Sequence, residues 1–136
     1  MRLLMVCIFT PALLAVDSSA ITGVWKAEPG VTLTITETGL RTYAIRFDRQ
    51  TTDRGAVSEE TTVTCDGRSR PLDQAGSGAR GGTVFCGRTY PTEIRMRVTQ
   101  NDGALIEQVF RASPDGSSLS YGKMVSGHGE TYVFSR

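Results

Sequence analysis

The chain has 136 residues, 39% hydrophobic and 21% charged, an ordinary globular composition that excludes a disordered or fibrous protein. Fifteen basic and 14 acidic residues leave a net charge of +1, so no bulk field draws nucleic acid or an anionic membrane. The single histidine, His128, excludes any metal site or relay built on two.

Met1-Arg2 begins the chain with positive charge. Leu3 to Val16 is an apolar run interrupted only by Thr10 and Pro11, and Ser18-Ser19-Ala20 closes it with small residues. These parts in this order are the layout of a secretory signal. A spanning helix needs about 20 apolar residues, more than the run supplies. The expectation is a signal peptide over 1–20 and one β-barrel domain over 21–136, secreted or periplasmic, with no stable membrane insertion after cleavage. Cys7 leaves with the signal, so the mature chain carries Cys65 and Cys86. An even count in an exported chain reads as one disulfide. It closes a loop of about 22 residues and contributes roughly 3 kcal/mol by restricting the unfolded chain.

Beyond the signal, apolar residues recur at every second position and nowhere at helical spacing. Val31, Leu33 and Ile35 alternate with threonines. Tyr43, Ile45 and Phe47 alternate with Ala44, Arg46 and Asp48. Val57 to Cys65 and Thr83 to Thr89 are weaker strand runs, separated by the glycine-rich stretch 73–82, the one long loop expected. Ile94, Met96 and Val98 alternate again, and Ala104–Ala112, Ser118–Val125 and Thr131–Phe134 complete the series. Thr38-Gly39, Asp66-Gly67, Asn101-Asp102-Gly103, Pro114-Asp115-Gly116 and Ser126-Gly127-His128-Gly129 stand between the runs. Glycine, and Asn or Asp, supply the positive φ that tight turns require. The pattern predicts an all-β protein, an antiparallel up-and-down meander of eight to ten strands. Strands with one apolar face must stack or close, and closure removes exposed edges.

Gly23-Val24-Trp25-Lys26 opens the first strand. Gly-x-Trp at this place resembles the lipocalins and the wider calycin barrels, and also a group of small exported bacterial β-barrel proteins of unassigned function. The resemblance implies a lipocalin-like barrel, with Trp25 plugging one end and an arginine near the last strand stacked over it. Arg111 and Arg136 are the candidates for that arginine. The lipocalin Thr-Asp-Tyr motif is absent.

Function is then sought inside the barrel. An eight-stranded barrel is just wide enough for its own side chains or one small ligand. The expected ligand-binding residues are Tyr43, Phe47, Met96, Gln108, Phe110 and Tyr121, with apolar contact supplying affinity and a phenol or the Gln108 amide orienting a polar end. Lys123 alternates with Tyr121 and Val125; facing inward it binds a carboxylate, facing outward it is a solvated lysine. Ser126, His128 and Glu130 share one turn, but a glycine-rich turn does not hold a nucleophile–base–acid relay, and His128 reads as an exposed loop residue. No metal constellation, cofactor motif or phosphate loop is present in the sequence. The preferred reading is a barrel binding a small apolar molecule. The alternatives are a small exported enzyme of isomerase, cyclase or hydrolase type acting at the barrel mouth, and a protein-binding or inhibitor barrel.

N-terminal sequencing of the exported protein is expected to begin at Ile21; a chain still starting at Met1 contradicts the signal.

Overall fold

The computed structural model describes residues 20–71, 82–90 and 92–136. The expected signal, except Ala20, and the glycine-rich loop, except Gly82, lie outside the described residues. Ten strands follow in order: β1 (Gly23–Ala27), β2 (Val31–Gly39), β3 (Thr42–Thr51), β4 (Gly55–Thr64), β5 (Ser69–Pro71), β6 (Thr83–Tyr90), β7 (Glu93–Thr99), β8 (Leu105–Ala112), β9 (Ser118–Val125) and β10 (His128–Ser135). Among the described residues there is no α-helix. Each pairs antiparallel with its sequence neighbour, except that β4 does not pair with β5, and β1 pairs with β10. The spatial order is therefore β4-β3-β2-β1-β10-β9-β8-β7-β6-β5. This is the expected all-β meander curled into a barrel. Among the described residues, the unladdered join lies between β4 and β5.

Period two explains the core. Leu33, Ile35, Tyr43, Ile45, Phe47, Ile94, Met96, Val98, Phe110, Leu119 and Tyr121 are all buried, while their sequence neighbours Arg46, Arg95, Arg97, Arg111 and Ser120 are exposed. Burying each large apolar side chain contributes about 1.5–3 kcal/mol against the entropy of ordering it. The turns fall where glycine was expected, with Gly67, Gly103, Gly116 and Gly127 all at positive φ. One differs. Between β2 and β3 the positive φ sits at Arg41, and Gly39 marks a register shift in the ladder. Gly82 is required by close approach as well: a Cβ there would lie 2.2 Å from the Thr99 carbonyl oxygen.

The two ends of the barrel differ. At one end Trp25 is fully buried and donates its indole N–H to the Ile21 carbonyl at 3.0 Å. Of the two candidate arginines, Arg136 stacks over it, with the guanidinium carbon 4.1 Å from the ring centroid. Arg136 also donates to the carbonyls of Ala20, Thr22 and Gly116, tying the segment before β1 and the β8–β9 turn to the plug. Arg111 takes a different role in the same region, donating to Glu93 at 2.9 Å. Glu93 is 2% exposed and also accepts from Arg95. The alternating pattern did not single out this buried acid, because Glu93 falls at the start of its strand, one residue before Ile94.

Cys65 lies just past β4, and its disulfide to Cys86 in β6 crosses the unladdered join. The Gly67 N–H donates to the Cys86 carbonyl at 2.9 Å beside it. Replacing both cysteines with serine is expected to cost about 2–5 kcal/mol of stability by chemical denaturation. Thiol labelling of the unfolded, unreduced mature protein should find no reactive cysteine.

Burial pushes the Glu93 carboxyl up, but hydrogen bonds and charge from Arg95 and Arg111 outweigh it, and the net shift is below the ordinary 4.5. A carboxyl lowered on folding stabilises the fold above its unfolded value, and that stabilisation fades as pH falls through the folded one. Glu93→Gln should therefore be less stable than wild type at neutral pH. The gap should narrow as pH drops below about 4.5, read from denaturation midpoints across pH.

Candidate functional site

At the end of the barrel opposite Trp25, the inward positions turn polar. Along β3 the buried series Tyr43, Ile45, Phe47 continues to Arg49. Along β8 Phe110 gives way to Gln108, along β9 Tyr121 gives way to Lys123, and along β4 the inward positions are Thr61 and Glu59. Together with Ile45, Phe47, Met96 and Tyr121 these side chains line a chamber of about 50 Å3. One enclosed water requires about 10–15 Å3, whereas drug-sized ligand pockets run to about 300–1,000 Å3. In this conformation the chamber therefore has room for a few waters.

The floor of the chamber is aromatic. Tyr121 lies 5.0 Å from Phe47 and 4.8 Å from Phe110, centroid to centroid, and 6.3 Å from Tyr132 on β10. The Tyr121 hydroxyl donates to the side-chain Oε1 of Gln108 at 3.0 Å. Burial pushes the Tyr121 phenol well above its ordinary 10.0; Arg49 pulls down, and Glu130 and Glu59 push up. The phenol is thus a neutral donor at any physiological pH. Arg49 stands between two rings, its guanidinium 5.9 Å from Phe47 and 6.0 Å from Tyr132. Its Nε–H is buried and has no hydrogen-bond partner among the described residues. A donor left in that state costs about 1–3 kcal/mol.

Of the expected ligand-binding residues, Phe47, Met96, Gln108 and Tyr121 meet at this chamber. Phe110 is fully buried beneath it, packed on Phe47 and Tyr121. Tyr43 is fully buried nearer the Trp25 end, and its hydroxyl accepts from Arg88 at 2.6 Å. Lys123 lines the chamber, the inward of its two readings. Arg49 and Glu59 were not singled out from the sequence. A charged residue at the end of an alternating series is a weak signal, because strand ends are usually solvated. His128 and Ser126 are exposed at the β9–β10 turn. Larger depressions lie elsewhere, one of about 440 Å3 at the β1–β2 turn, lined by Ala27, Gly30, Val31 and Arg49 among others, and one of about 220 Å3 on the outer face beside Phe85, Arg95, Arg97, Glu107 and Val109. There Arg97 is engaged by Glu107 at 3.2 Å. Among the described residues no group of His, Cys, Asp or Glu is arranged to hold a metal ion.

No protein-family model and no curated protein matches the sequence. Solved structures do match the fold. Fatty-acid-binding protein 1 of Echinococcus granulosus superposes with a TM-score of 0.63 at 11% identity, over 87% of this chain and 98% of that one. A Schistosoma mansoni fatty-acid-binding protein in complex with arachidonic acid gives 0.63 at 11% identity, over 88% and 97%. Secretory abundant heat soluble protein 4 of Ramazzottius varieornatus gives 0.60 at 12% identity, over 86% and 94%. These likenesses define the chain's fold as a lipocalin-like β-barrel of the type those proteins share.

Phe110 fills the centre of the aromatic floor, so Phe110→Ala is expected to cost about 3–5 kcal/mol, read by thermal or denaturant unfolding.

Proposed function

We propose that the protein is an exported barrel that binds a small, largely apolar molecule carrying one acidic group. The observation that carries this reading is Arg49: a guanidinium held between two rings, with a buried donor that lacks an acceptor, on the wall of an interior chamber. A carboxylate accepts from an arginine in a charge-assisted bond roughly twice as strong as a neutral one. Lys123 adds a second cation and Gln108 a neutral amide on the facing wall. Phe47, Met96 and Ile45 offer the apolar part its contact, at about 25 cal/mol per Å2 buried. Phe110 and Tyr121 support it from below, and Tyr43 lies at the distant end of the same interior. The similar structures point the same way in class: two are fatty-acid-binding proteins, one with arachidonic acid, an apolar chain ending in a carboxylate. Export is supported by the signal layout of residues 1–20 and by a disulfide, which persists in oxidising compartments.

Native mass spectrometry of protein from its source, followed by extraction, identifies whatever is bound. For apolar acids that bind, Arg49→Gln should weaken affinity by about tenfold or more, the loss of one charge-assisted hydrogen bond. The matching methyl esters should bind both proteins alike. An acid and its ester losing affinity equally would overturn the role of Arg49, and no binding from a broad panel of apolar acids would overturn the function.

A further inference from the structure

The chamber as it stands is far smaller than an amphipathic ligand, so on the interior-binding reading one of its walls moves. Of the strands that line the chamber, β4 is the one at an edge of the sheet. Among the described residues it is laddered on one side only, to β3, and its other edge faces the join with β5 and β6. From Gly55 to Thr62 it is exposed on both faces apart from half-buried Val57 and Thr61. Glu59 lines the chamber and is exposed as well. Burial begins only at the strand's far end, with Val63 and Cys65. There the Cys65 N–H donates to the Arg41 carbonyl at 2.7 Å, and the disulfide pins the chain to β6.

We propose that ligands reach the interior through the β4–β5 join, with the upper part of β4 swinging outward about the Cys65–Cys86 bridge as its fixed end. A segment with few buried apolar contacts and a single ladder opens locally at a lower free energy than the core strands. The bridge confines that opening. It holds the lower end of the join shut over Val63 and Cys86 while leaving Ala56 to Thr62 free to part from the opposite wall. Without it, the opening extends down the strand. The proposal rests on the interior-binding reading for what passes through the join, but not for the motion itself.

Two measurements on the full mature chain separate them. Amide hydrogen exchange of the bridged protein should find β4 residues 56–62 exchanging at least about tenfold faster than β9 and β10. In the Cys65→Ser/Cys86→Ser variant, β4 should accelerate about tenfold beyond any change in β9 and β10. If that variant does not fold, wild type reduced by a dithiol under native conditions takes its place, and failing both, the bridged protein alone decides. Protection of β4 equal to that of β9, or uniform acceleration on loss of the bridge, overturns the proposal. Stopped-flow binding of anilinonaphthalene sulfonate, an apolar anion, should then show association speeding up in step with β4 opening. Association unchanged while β4 opening rises would place the route elsewhere and overturn it too. Normal β4 opening with no apolar anion bound at all would sink the interior-binding reading and leave the motion of β4 standing on the exchange result.

Discussion

A sheet that curls round to meet itself has one join to make, and in this chain the join between β4 and β5 carries no ladder of backbone hydrogen bonds. The Cys65–Cys86 bridge is the covalent link across it, supported by the Gly67–Cys86 backbone bond. It acts beside the short backbone connection from Thr64 to Ser69, which joins β4 to β5 at the same end. With the join held, the inward faces of β3, β7, β8 and β9 enclose one core; with it loose, their apolar side chains face a slot open to water. A cross-link placed there acts on the unfolded chain by shortening a loop and on the folded one by keeping a curled sheet from uncurling.

The interior is graded along its axis. Near the bridge and the Trp25 plug it is dry and tightly filled, with Arg136 stacked on the indole and Glu93 neutralised by two arginines. Toward the other end the side chains become longer, charged and less completely paired. Dry packing at one end makes a single, rigid conformation. Polar, loosely walled positions at the other end leave room for solvent or ligand and for local motion. The proposed binding and access therefore fall where the interior is least completely buried, and the aromatic floor of Phe47, Phe110 and Tyr121 divides the two regions.

The electrostatics follow the same division. The outer arginines are held by acids on the same or the adjacent strand, Arg46 by Asp48 and Arg97 by Glu107. Such exposed pairs contribute little to stability and mainly keep the sheet's surface soluble and its charge balanced. Inside, the same residue type has a different consequence. Arg49 is wedged between rings, so its Nε–H is removed from water with no acceptor among the described residues to replace it.

How much of this was legible beforehand depends on the range of the interaction. Period two along Tyr43–Phe47 and Ile94–Val98, with Asp-Gly and Asn-Asp-Gly turns between strands, specified an antiparallel meander, because alternation and turn chemistry are local properties of the chain. Two cysteines in a chain with a signal layout specified the bridge, because no other pairing remained. The shift of positive φ from Gly39 to Arg41 escaped notice because a bulge is decided by the partner strand. The choice of Arg136 over Arg111 as the cap of Trp25 was open in the sequence, since both lie near the last strands and only the closed barrel brings one of them over the ring. Likewise Arg49, Glu59, Gln108 and Lys123 are separate charges and amides on four strands until curvature turns them toward one chamber. By itself the sequence determined the strands, their faces and the covalent staple, which are matters of neighbours along the chain. The tertiary structure alone decided where the sheet fails to close, which arginine caps the Trp25 end and which polar groups share an interior, because those follow from how the strands curl around a common axis.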